Sequence, residues 1–305
     1  MASTIISQEQ WADGLAERLD KPQGWKETCD VMYTDVQTLV LPYISAANEP
    51  AVQTAFLANA ADRNTLSKVI APGVVTQATE TLQVVSMEYV SHYVDFADQV
   101  QSRYVGDRAI GQLLGKKIGE RLEALVLANH AAWTDFGDTG GGVLGLASTL
   151  FDVTDNNIDE VMLGVKEQIN TANGANIAKE NGVFITWRAA DWTKLEKFMM
   201  SNGFNLADYY LKNGTDATAG VFYNGIWHYM STGHTANHIF AGVRKIQKLG
   251  LLTGGETGFG KVRKVDDPAS STAGHLRGSN FFACLDYGFK VQTNVKPIVY
   301  DINVN

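Results

Sequence analysis

One long amphipathic pattern, from Asp107 to Trp133, constrains the fold more than any other part of the sequence. Its apolar side chains recur at three- and four-residue steps, which places them on one face of an α-helix. They are Ile110, Leu113, Leu114, Ile118, Leu122, Leu125 and Val126. Asp107 can cap the start of this helix, and Gly137 ends the pattern. With a rise of about 1.5 Å per residue, the helix would be about 40 Å long, which exceeds most domain helices.

Three glycines lie four residues apart on a second stripe of the same helix: Gly111, Gly115 and Gly119. Each costs about 1 kcal/mol relative to alanine inside a helix, so we expect a neighbouring element to pack closely against the stripe. The pattern therefore predicts a spine helix with one buried side, and it carries no obvious chemistry.

The segments before the spine helix combine helical and strand patterns with one long indistinct connection. We predict an amphipathic helix from Thr4 to Asp20, a strand from Asp35 to Leu41, and one long strand from Thr81 to Ala97. Between them, Pro42 to Pro72 is rich in alanine and asparagine and shows no clear period. A connection of this length inside a compact domain is usually functional or mobile.

The segments after the spine helix complete a mixed α+β pattern. Two stretches are glycine-rich, a joint at Gly140-Gly141-Gly142 and the region from Leu249 to Gly278. The predicted elements, in order, are a helix from Ile158 to Thr171, a strand from Val183 to Thr186, a helix from Ala190 to Met200, a hairpin around Asn224-Gly225, and two or three strands from Phe281 onward.

The net charge and the cysteine content exclude several classes of protein. A net charge of −8 argues against a sequence-independent nucleic-acid binder, which needs a basic surplus. Cys29 and Cys284 are too few and too far apart for a zinc site or a disulfide scaffold. The N-terminus lacks a signal-peptide pattern, and no apolar run approaches the roughly 20 residues of a membrane span. We therefore expect a soluble chain that folds in a reducing cytoplasm.

Gly255 to Lys261 matches the first seven positions of a phosphate-binding loop. The next position of that motif needs a hydroxyl that binds magnesium, and Val262 stands there. Because β-branched residues and Pro268 follow, we expect no helix whose N-terminal amides could face a phosphate. We interpret the stretch as a loop and assign no cofactor-binding residue.

His228, His234 and His238 lie close together in sequence and could supply metal ligands. They straddle a predicted strand and a glycine turn, and no Asp, Glu or Cys lies at a matching spacing. We therefore interpret them as interface or surface histidines and assign no metal site.

Positive charge is concentrated in one part of this acidic chain, at Arg244, Lys245, Lys248, Lys261, Arg263 and Lys264. These residues could contact acidic patches on other copies, such as Glu9, Glu17 and Asp20. The alternative is a solvated basic face, and the charge pattern does not decide between the two.

Aromatic side chains are dense in the predicted long strand, around Tyr89, Tyr93 and Phe96. Such side chains can stack on nucleic-acid bases or fill a core, and we predict that these belong to the core. The sequence also contains no nucleophile elbow, and neither cysteine has a neighbouring histidine. We therefore assign no catalytic residue and expect that the chain is not an enzyme.

Five segments occur in an order that one known family shares. They are ETLQVVSMEYVSHYVDFADQ, DRAIGQLLGKKIGERLEALVLA, GVFITWRAADWTKLEKF, AGVFYNGIWHYMS and DYGFKVQTNVKPIVYDINV. This order resembles the major capsid protein of tailed bacteriophages, which has the Hong Kong 97-like fold. The resemblance covers the chain from about Thr79 onward and rests on element order more than on individual residues.

The resemblance implies an α+β fold in five parts. These are an N-terminal arm (1–40), an extended loop over a neighbouring subunit (41–80), a peripheral domain with the spine helix (81–147, helix 107–133), an axial domain (148–253), and a loop with strands that return to the peripheral domain (254–305). Some family members cleave off an N-terminal scaffolding segment, and we expect none here because the spine helix begins near Asp107.

The function that the resemblance implies is structural. Copies of the chain would form hexamers and pentamers that close into an icosahedral head shell around double-stranded DNA. The implied partners are further copies, scaffolding, portal and decoration proteins, and packaged DNA without sequence-specific contacts, with no cofactor and no membrane. The expected location is the virion, after assembly in the host cytoplasm. Two alternatives remain open: an encapsulin-like compartment shell with the same fold, and a soluble α+β enzyme with an unrecognised site.

Overall fold

The computed structural model describes residues 15, 24–44, 77–95, 106–136, 152–154, 157–172, 174–206, 209, 220–234, 237–254, 258–266 and 278–304. Within these ranges the chain mixes helices and strands, as the sequence predicts. The strands form a five-stranded sheet, a six-stranded sheet and a two-stranded hairpin.

The described residues contain five α-helices and thirteen β-strands. The helices are α1 (Gly24–Thr28), α2 (Gly106–Ala128), α3 (Ile158–Thr171), α4 (Ala175–Asn181) and α5 (Ala189–Ser201), with 3₁₀ turns at His130–Ala132 and Lys296–Ile298. The strands are β1 (Cys29–Thr34), β2 (Thr38–Ile44), β3 (Gln77–Gln83), β4 (Ser86–Asp95), β5 (Thr134–Asp135), β6 (Val183–Arg188), β7 (Val221–Tyr223), β8 (Ile226–Ser231), β9 (His238–Val243), β10 (Gln247–Leu252), β11 (Val262–Asp266), β12 (Gly278–Lys290) and β13 (Val299–Asn303).

The five-stranded sheet is built around β12, which is long enough to pair with three strands. β12 runs antiparallel to β4, β10 and β11, and β1 extends the sheet by pairing parallel to β10. Successive residues of a strand point to opposite sides, so Phe281, Ala283 and Leu285 of β12 share one side, where they are buried in a core with α2. The helix contributes Leu114, Ile118, Leu122 and Val126 to this core.

The apolar face predicted for α2 is thus confirmed at Leu114, Ile118, Leu122 and Val126, and Leu113 is the exception. Leu113 lies beside that face and is 52% exposed, whereas Leu114 is buried. The glycine stripe at Gly111, Gly115 and Gly119 is buried, as the packing argument predicts. The side chain of Ile110 lies outside the described residues.

The C-terminal end of α2 differs from the prediction, because the α-helix ends at Ala128 rather than at Trp133. The backbone N–H of Asn129 donates to the carbonyl of Val126 at 3.2 Å, three residues back instead of four. The Asn129 side-chain amide donates to the carbonyl of Leu125 at 2.7 Å and so occupies an acceptor of the last helical turn. The chain then continues as a 3₁₀ turn.

The six-stranded sheet has the order β5-β13-β9-β6-β8-β7 and carries the second core. Its strand β6 pairs parallel to β8 and antiparallel to β9, and its first five residues are all buried. Helices α3 and α5 add apolar side chains to this core: Ile158, Val161, Met162, Val165, Ile169, Trp192, Leu195 and Met199. The two helices and the strand predicted in this region are therefore confirmed.

The predicted hairpin at Asn224-Gly225 is also confirmed. Asn224 has φ 50° and Gly225 has φ 73°, and two successive residues with positive φ form the tight turn that suits the twist of antiparallel strands. This turn joins β7 to β8, and the register pairs Tyr223 with Ile226.

The long strand predicted from Thr81 to Ala97 is wrong, because the structure divides it into β3 and β4. β3 pairs with β2, whereas β4 pairs with β12. At the break, the N–H of Val84 donates to the carbonyl of Gln37 at 2.8 Å, and the Val84 side chain is buried. The strand therefore changes partners at this residue.

A pair of glycines makes room for the β2–β3 hairpin on the five-stranded sheet. Gly250 and Gly288 lie opposite each other in β10 and β12. A Cβ on Gly288 would lie 2.1 Å from the carbonyl oxygen of Gln83, and a Cβ on Gly250 would lie 2.8 Å from the Val84 side chain. Both glycines alternate with core residues along their strands, so the hairpin crosses the side of the sheet opposite α2.

Several other sequence predictions need correction or fall outside the described ranges. The strand predicted at Asp35 to Leu41 is observed at Thr38–Ile44, and β1 was not predicted. The glycine-rich stretch from Leu249 to Gly278 contains the end of β10 and all of β11. Residues 45–76 and 140–142 lie outside the described residues, as does the helix predicted at Thr4 to Asp20, except Leu15, which is helical and buried in the first core.

Candidate assembly surface

The side of the five-stranded sheet opposite α2 exposes apolar and aromatic side chains. We call this surface the open face, and it consists of Met87, Tyr89 and Tyr93 on β4, Arg263 on β11 and Phe282 on β12. Met87 is 66% exposed and Tyr89 is 67% exposed. The Arg263 guanidinium lies over the Phe282 ring, 5.9 Å from its centroid. Contiguous apolar patches mark surfaces that bind another molecule, so the open face is a candidate for such a surface.

The alternation of β4 explains why these side chains are exposed. Val90 packs against the core beneath α2, so its neighbour Tyr89 points to the other side of the sheet. Tyr89 lies opposite Cys284 of β12, and Met87 lies opposite Asp286. The prediction that Tyr89 and Tyr93 fill a core is therefore wrong, and Phe96 lies outside the described residues.

An ion pair fixes β4 to α2 on the covered side of the sheet. Arg121 of α2 donates from Nε and Nη2 to the two carboxylate oxygens of Glu88, with 2.6 Å between Nη2 and Oε1. This paired geometry raises the pKa of Arg121 above its ordinary value. Because the pair is exposed to solvent, it orients the strand more than it stabilises the fold.

Polar contacts fix the base of the β2–β3 hairpin beside the open face. Glu80 of β3 accepts a hydrogen bond from the N–H of Thr293 at 3.0 Å and forms an ion pair with Lys290 at 3.3 Å. These contacts lower the pKa of the Glu80 carboxyl against the opposing effect of burial. The hairpin thus has a defined base on the sheet.

A buried carboxyl lies where α2 passes between the two cores. Glu123 lies so close to α1 that a Cβ on Gly24 would be 2.6 Å from its Oε1. Burial raises the pKa of Glu123 to about 7, and a hydrogen bond with Ser231 of β8 partly opposes the shift. Next to it, Val126 belongs to the first core and Leu127 to the second.

Gly255 to Lys261, the stretch that resembles a phosphate-binding loop, belongs to the connection between β10 and β11 of the five-stranded sheet. Residues 255–257 lie outside the described residues, and β11 begins at Val262, directly after Lys261. The expectation that no helix follows is confirmed, because a strand stands there. The N–H of Phe259 donates to the carbonyl of Leu252 at 2.8 Å, which closes the turn.

Two members of the basic group form ion pairs within the chain, which argues against their proposed use between copies. Arg244 donates to the Glu27 carboxylate and lies over the Trp227 ring, 5.0 Å from its centroid. Lys248 donates to Asp30 at 2.5 Å. The acidic residues proposed as partners on other copies, Glu9, Glu17 and Asp20, lie outside the described residues, as does the side chain of Lys264.

The prediction of interface or surface histidines is wrong for His228, whereas His234 is partly exposed. His228 is buried and accepts a hydrogen bond on Nδ1 from the indole N–H of Trp187 at 3.0 Å. Burial lowers the pKa of His228 to about 4 and that of His234 to about 3, so both rings are neutral at pH 7. The ring of His234 stacks on Phe240.

The third histidine, His238, lies in a cluster that sequence spacing could not reveal. Its Nδ1 is 2.8 Å from Oδ1 of Asp301, and Nδ1 of His130 is 3.2 Å from Oδ2 of the same carboxylate. The two imidazole rings stack with their centroids 4.1 Å apart. His130 and Asp301 are 171 positions apart in the sequence, so no local motif connects them.

No helix within the described parts of the chain has both the length and the apolar character that crossing a membrane requires. Neither a protein-family model nor a curated protein sequence matches the chain significantly.

The fold is that of phage capsid structures. A chain from Mycobacterium phage Che8 matches 88% of this chain and 85% of its own length, at 14% identity and a TM-score of 0.55. The capsid structure of the cyanophage P-SCSP1u matches 93% of this chain and 89% of its own, at 10% identity and a TM-score of 0.57. A virus-like particle from Pyrococcus furiosus matches 97% of this chain and 98% of its own, at 11% identity and a TM-score of 0.52.

Proposed function

We propose that this chain is a major capsid protein whose copies form hexamers and pentamers that close into an icosahedral head shell around double-stranded DNA. The observation that carries the proposal is the likeness to the cyanophage capsid chain, which extends over 93% of this chain and 89% of that one. A likeness over nearly the whole length includes surface elements as well as the core. The role is therefore structural rather than enzymatic.

The open face gives the proposal a physical basis. Removing apolar surface from water is favourable by about 25 cal/mol per Å², so exposed side chains such as Met87 and Tyr89 gain free energy when another copy covers them. When each copy uses two different surfaces, the contacts close into rings if the rotation between neighbouring copies returns to the first copy. In this proposal the open face is one of the two surfaces, and its contact strengthens the shell.

The domain boundaries belong to the same proposal. We assign 1–40 to an N-terminal arm, 41–80 to an extended loop that reaches over a neighbour, and 81–147 to a peripheral domain in which α2 is the spine helix. The axial domain is 148–253, and 254–305 returns to the peripheral domain. The five-stranded sheet supports the assignment of 254–305 to the peripheral domain, because β12 of this segment pairs with β4 of that domain. The last strand, β13, pairs with β9 and so adds to the axial sheet in this scheme.

Light scattering and electron micrographs of the purified chain test the shell. We expect closed particles of uniform size. A stable monomer at every concentration and ionic strength would contradict the proposal. Particles from the natural source, treated with nuclease, should retain double-stranded DNA. Portal, scaffolding and decoration proteins would then be identified as further protein components of the same particles or of their precursors.

One alternative keeps the shell and changes its content. The match to the Pyrococcus furiosus virus-like particle covers 97% of this chain and 98% of that one, which favours a compartment shell as the second candidate. Such a compartment would enclose protein cargo. Nuclease-resistant DNA in the particles supports the capsid, whereas particles that contain a second protein and no DNA support the compartment.

A further inference from the structure

His130, His238 and Asp301 come together from three separate segments of the chain. His130 lies in the 3₁₀ turn after α2, His238 begins β9, and Asp301 lies in the middle of β13. β13 runs antiparallel to β9 and pairs Asn303 with His238. Asp301, two residues before Asn303, therefore lies on the same side of the sheet as His238, as its diagonal neighbour. The ring of His130 stacks on that of His238.

We propose that His130, His238 and Asp301 form a binding site for a divalent transition-metal ion of the Zn²⁺ type. The three ligand atoms lie within 4.8 Å of one another. In a tetrahedral Zn²⁺ site with bonds of about 2.1 Å, neighbouring ligand atoms are roughly 3.4 Å apart. To one carboxylate oxygen, Oδ2 of Asp301, the distance is 3.0 Å from Nδ1 of His238 and 3.2 Å from Nδ1 of His130, so these two pairs need shifts of a few tenths of an ångström to bind an ion.

The donor set selects the class of ion. Two imidazole nitrogens and one carboxylate suit Zn²⁺, Co²⁺ and related ions, whereas Ca²⁺ and Mg²⁺ prefer oxygen ligands. Both Nδ1 atoms point to the carboxylate of Asp301. A bound ion would lie between these nitrogens and the carboxylate and would replace the protons of the two hydrogen bonds. The three side chains leave at least one coordination position for water or another ligand.

Charge and access also favour a cation at this position. Asp135 of β5 lies directly opposite Asp301 in the parallel pair of β5 and β13, which adds a second carboxylate beside the cluster. The side chains of His130 and His238 are 28% and 19% exposed, so an ion can enter from solvent. A bound ion would tie the end of α2 to two strands of the six-stranded sheet. The site does not depend on the proposed shell function.

Titration of the chelator-treated, full-length chain with Co²⁺ or Zn²⁺ alone tests the proposal by calorimetry and, for Co²⁺, by visible absorption. We expect one ion per chain. His130→Ala and His238→Ala should each weaken binding more than about tenfold. The matched control is His92→Ala, which removes an exposed histidine on β4 and should leave binding unchanged.

Zn²⁺ should also raise the thermal unfolding midpoint of the wild-type chain and of His92→Ala, because an ion that binds only the folded state stabilises it. Neither cluster variant should show this increase. If His238→Ala does not fold, His130→Asn provides the same comparison at the more exposed position. The proposal is overturned if the wild-type chain binds no ion saturably, or if folded variants of His130 retain wild-type affinity.

Discussion

The six-stranded and five-stranded sheets differ in how completely they bury their apolar surface within one chain. In the six-stranded sheet, the first five residues of β6 are buried on both sides, and on one side Val183, Ile185 and Trp187 share a core with helices α3 and α5. In the five-stranded sheet, α2 covers one side, whereas the other side exposes Met87 and Tyr89. The six-stranded sheet buries its apolar surface within a single copy. The five-stranded sheet has an open face that we propose a neighbouring copy covers.

The largest effect is expected where the five-stranded sheet is covered. Leu122→Asp would place a carboxylate in the core between α2 and the sheet, where the native side chain is fully buried. We expect a loss of more than about 3 kcal/mol in the free energy of unfolding, which prevents folding or leaves a chain that proteases cleave rapidly.

Leu113→Asp is the matched control, since it makes the same change on the same helix at a side chain that is 52% exposed. Its free energy of unfolding should change by less than about 1 kcal/mol. Circular dichroism during urea unfolding measures both variants. Equal destabilisation by the two substitutions would show that the covered side of the sheet is assigned to the wrong face of α2.

A smaller effect is expected where the hairpin crosses the opposite side of the sheet. Gly288→Ala would bring a Cβ within 2.1 Å of the Gln83 carbonyl oxygen, and backbone cannot yield without moving the strand. We expect a loss of about 2 kcal/mol and faster hydrogen exchange of the β3 amides.

Gly250→Ala is the control for this contact, because its Cβ would meet the side chains of Val84 and Leu82, which can adjust. It should cost less than Gly288→Ala. Unchanged exchange in β3 for Gly288→Ala would mean that the hairpin does not depend on the glycine pair.

The stability of the chain should depend on pH through Glu123, which lies where α2 passes between the two cores. Burial raises its pKa from 4.5 to about 7, so between these pH values the folded chain holds a proton that the unfolded chain has lost. The stability contributed by this group is therefore complete below about pH 4.5 and falls as the pH rises to about 7. Glu123→Gln should stabilise the chain at pH 8 by on the order of 1–2 kcal/mol and flatten this dependence.

Glu167→Gln, at an exposed position of α3, is the control and should leave the pH dependence of stability unchanged. Thermal midpoints measured from pH 4 to pH 9 compare the variants. The wild-type profile also contains opposite contributions from His228 and His234, whose lowered pKa values make stability rise with pH, so the test is the difference between the variants. A Glu123→Gln variant with the wild-type profile would contradict the buried position of this carboxyl.

The sequence predicts α2 well because its helical period is carried by many side chains at once. The break at Val84 could not be predicted in the same way, because no glycine or proline marks it. Its causes are the carbonyl of Gln37 and the glycine pair Gly250 and Gly288, which come from distant parts of the chain. β1 was missed because its six residues include polar side chains and it lies at the end of the sheet, paired with β10.

The candidate surfaces were less predictable than the elements that bear them. β4 carries apolar or aromatic side chains on both sides, so the sequence does not show which side faces α2, and Tyr89 was assigned to the core. The metal-type cluster joins side chains 171 positions apart, and only the pairing of β13 with β9 brings Asp301 to His238. Contacts between distant segments follow no fixed spacing in the sequence, so the sequence alone does not predict them.

The most direct test of the account is to place a charge on the open face and to measure particle formation separately from subunit stability. Tyr89→Asp changes a side chain that is 67% exposed, so the free energy of unfolding of the subunit should stay within about 0.5 kcal/mol of wild type. Tyr89→Phe keeps the ring and serves as the control. Light scattering and micrographs should show closed particles for wild type and Tyr89→Phe, and only small species for Tyr89→Asp. Normal particles from Tyr89→Asp would contradict the claim that another copy covers this face.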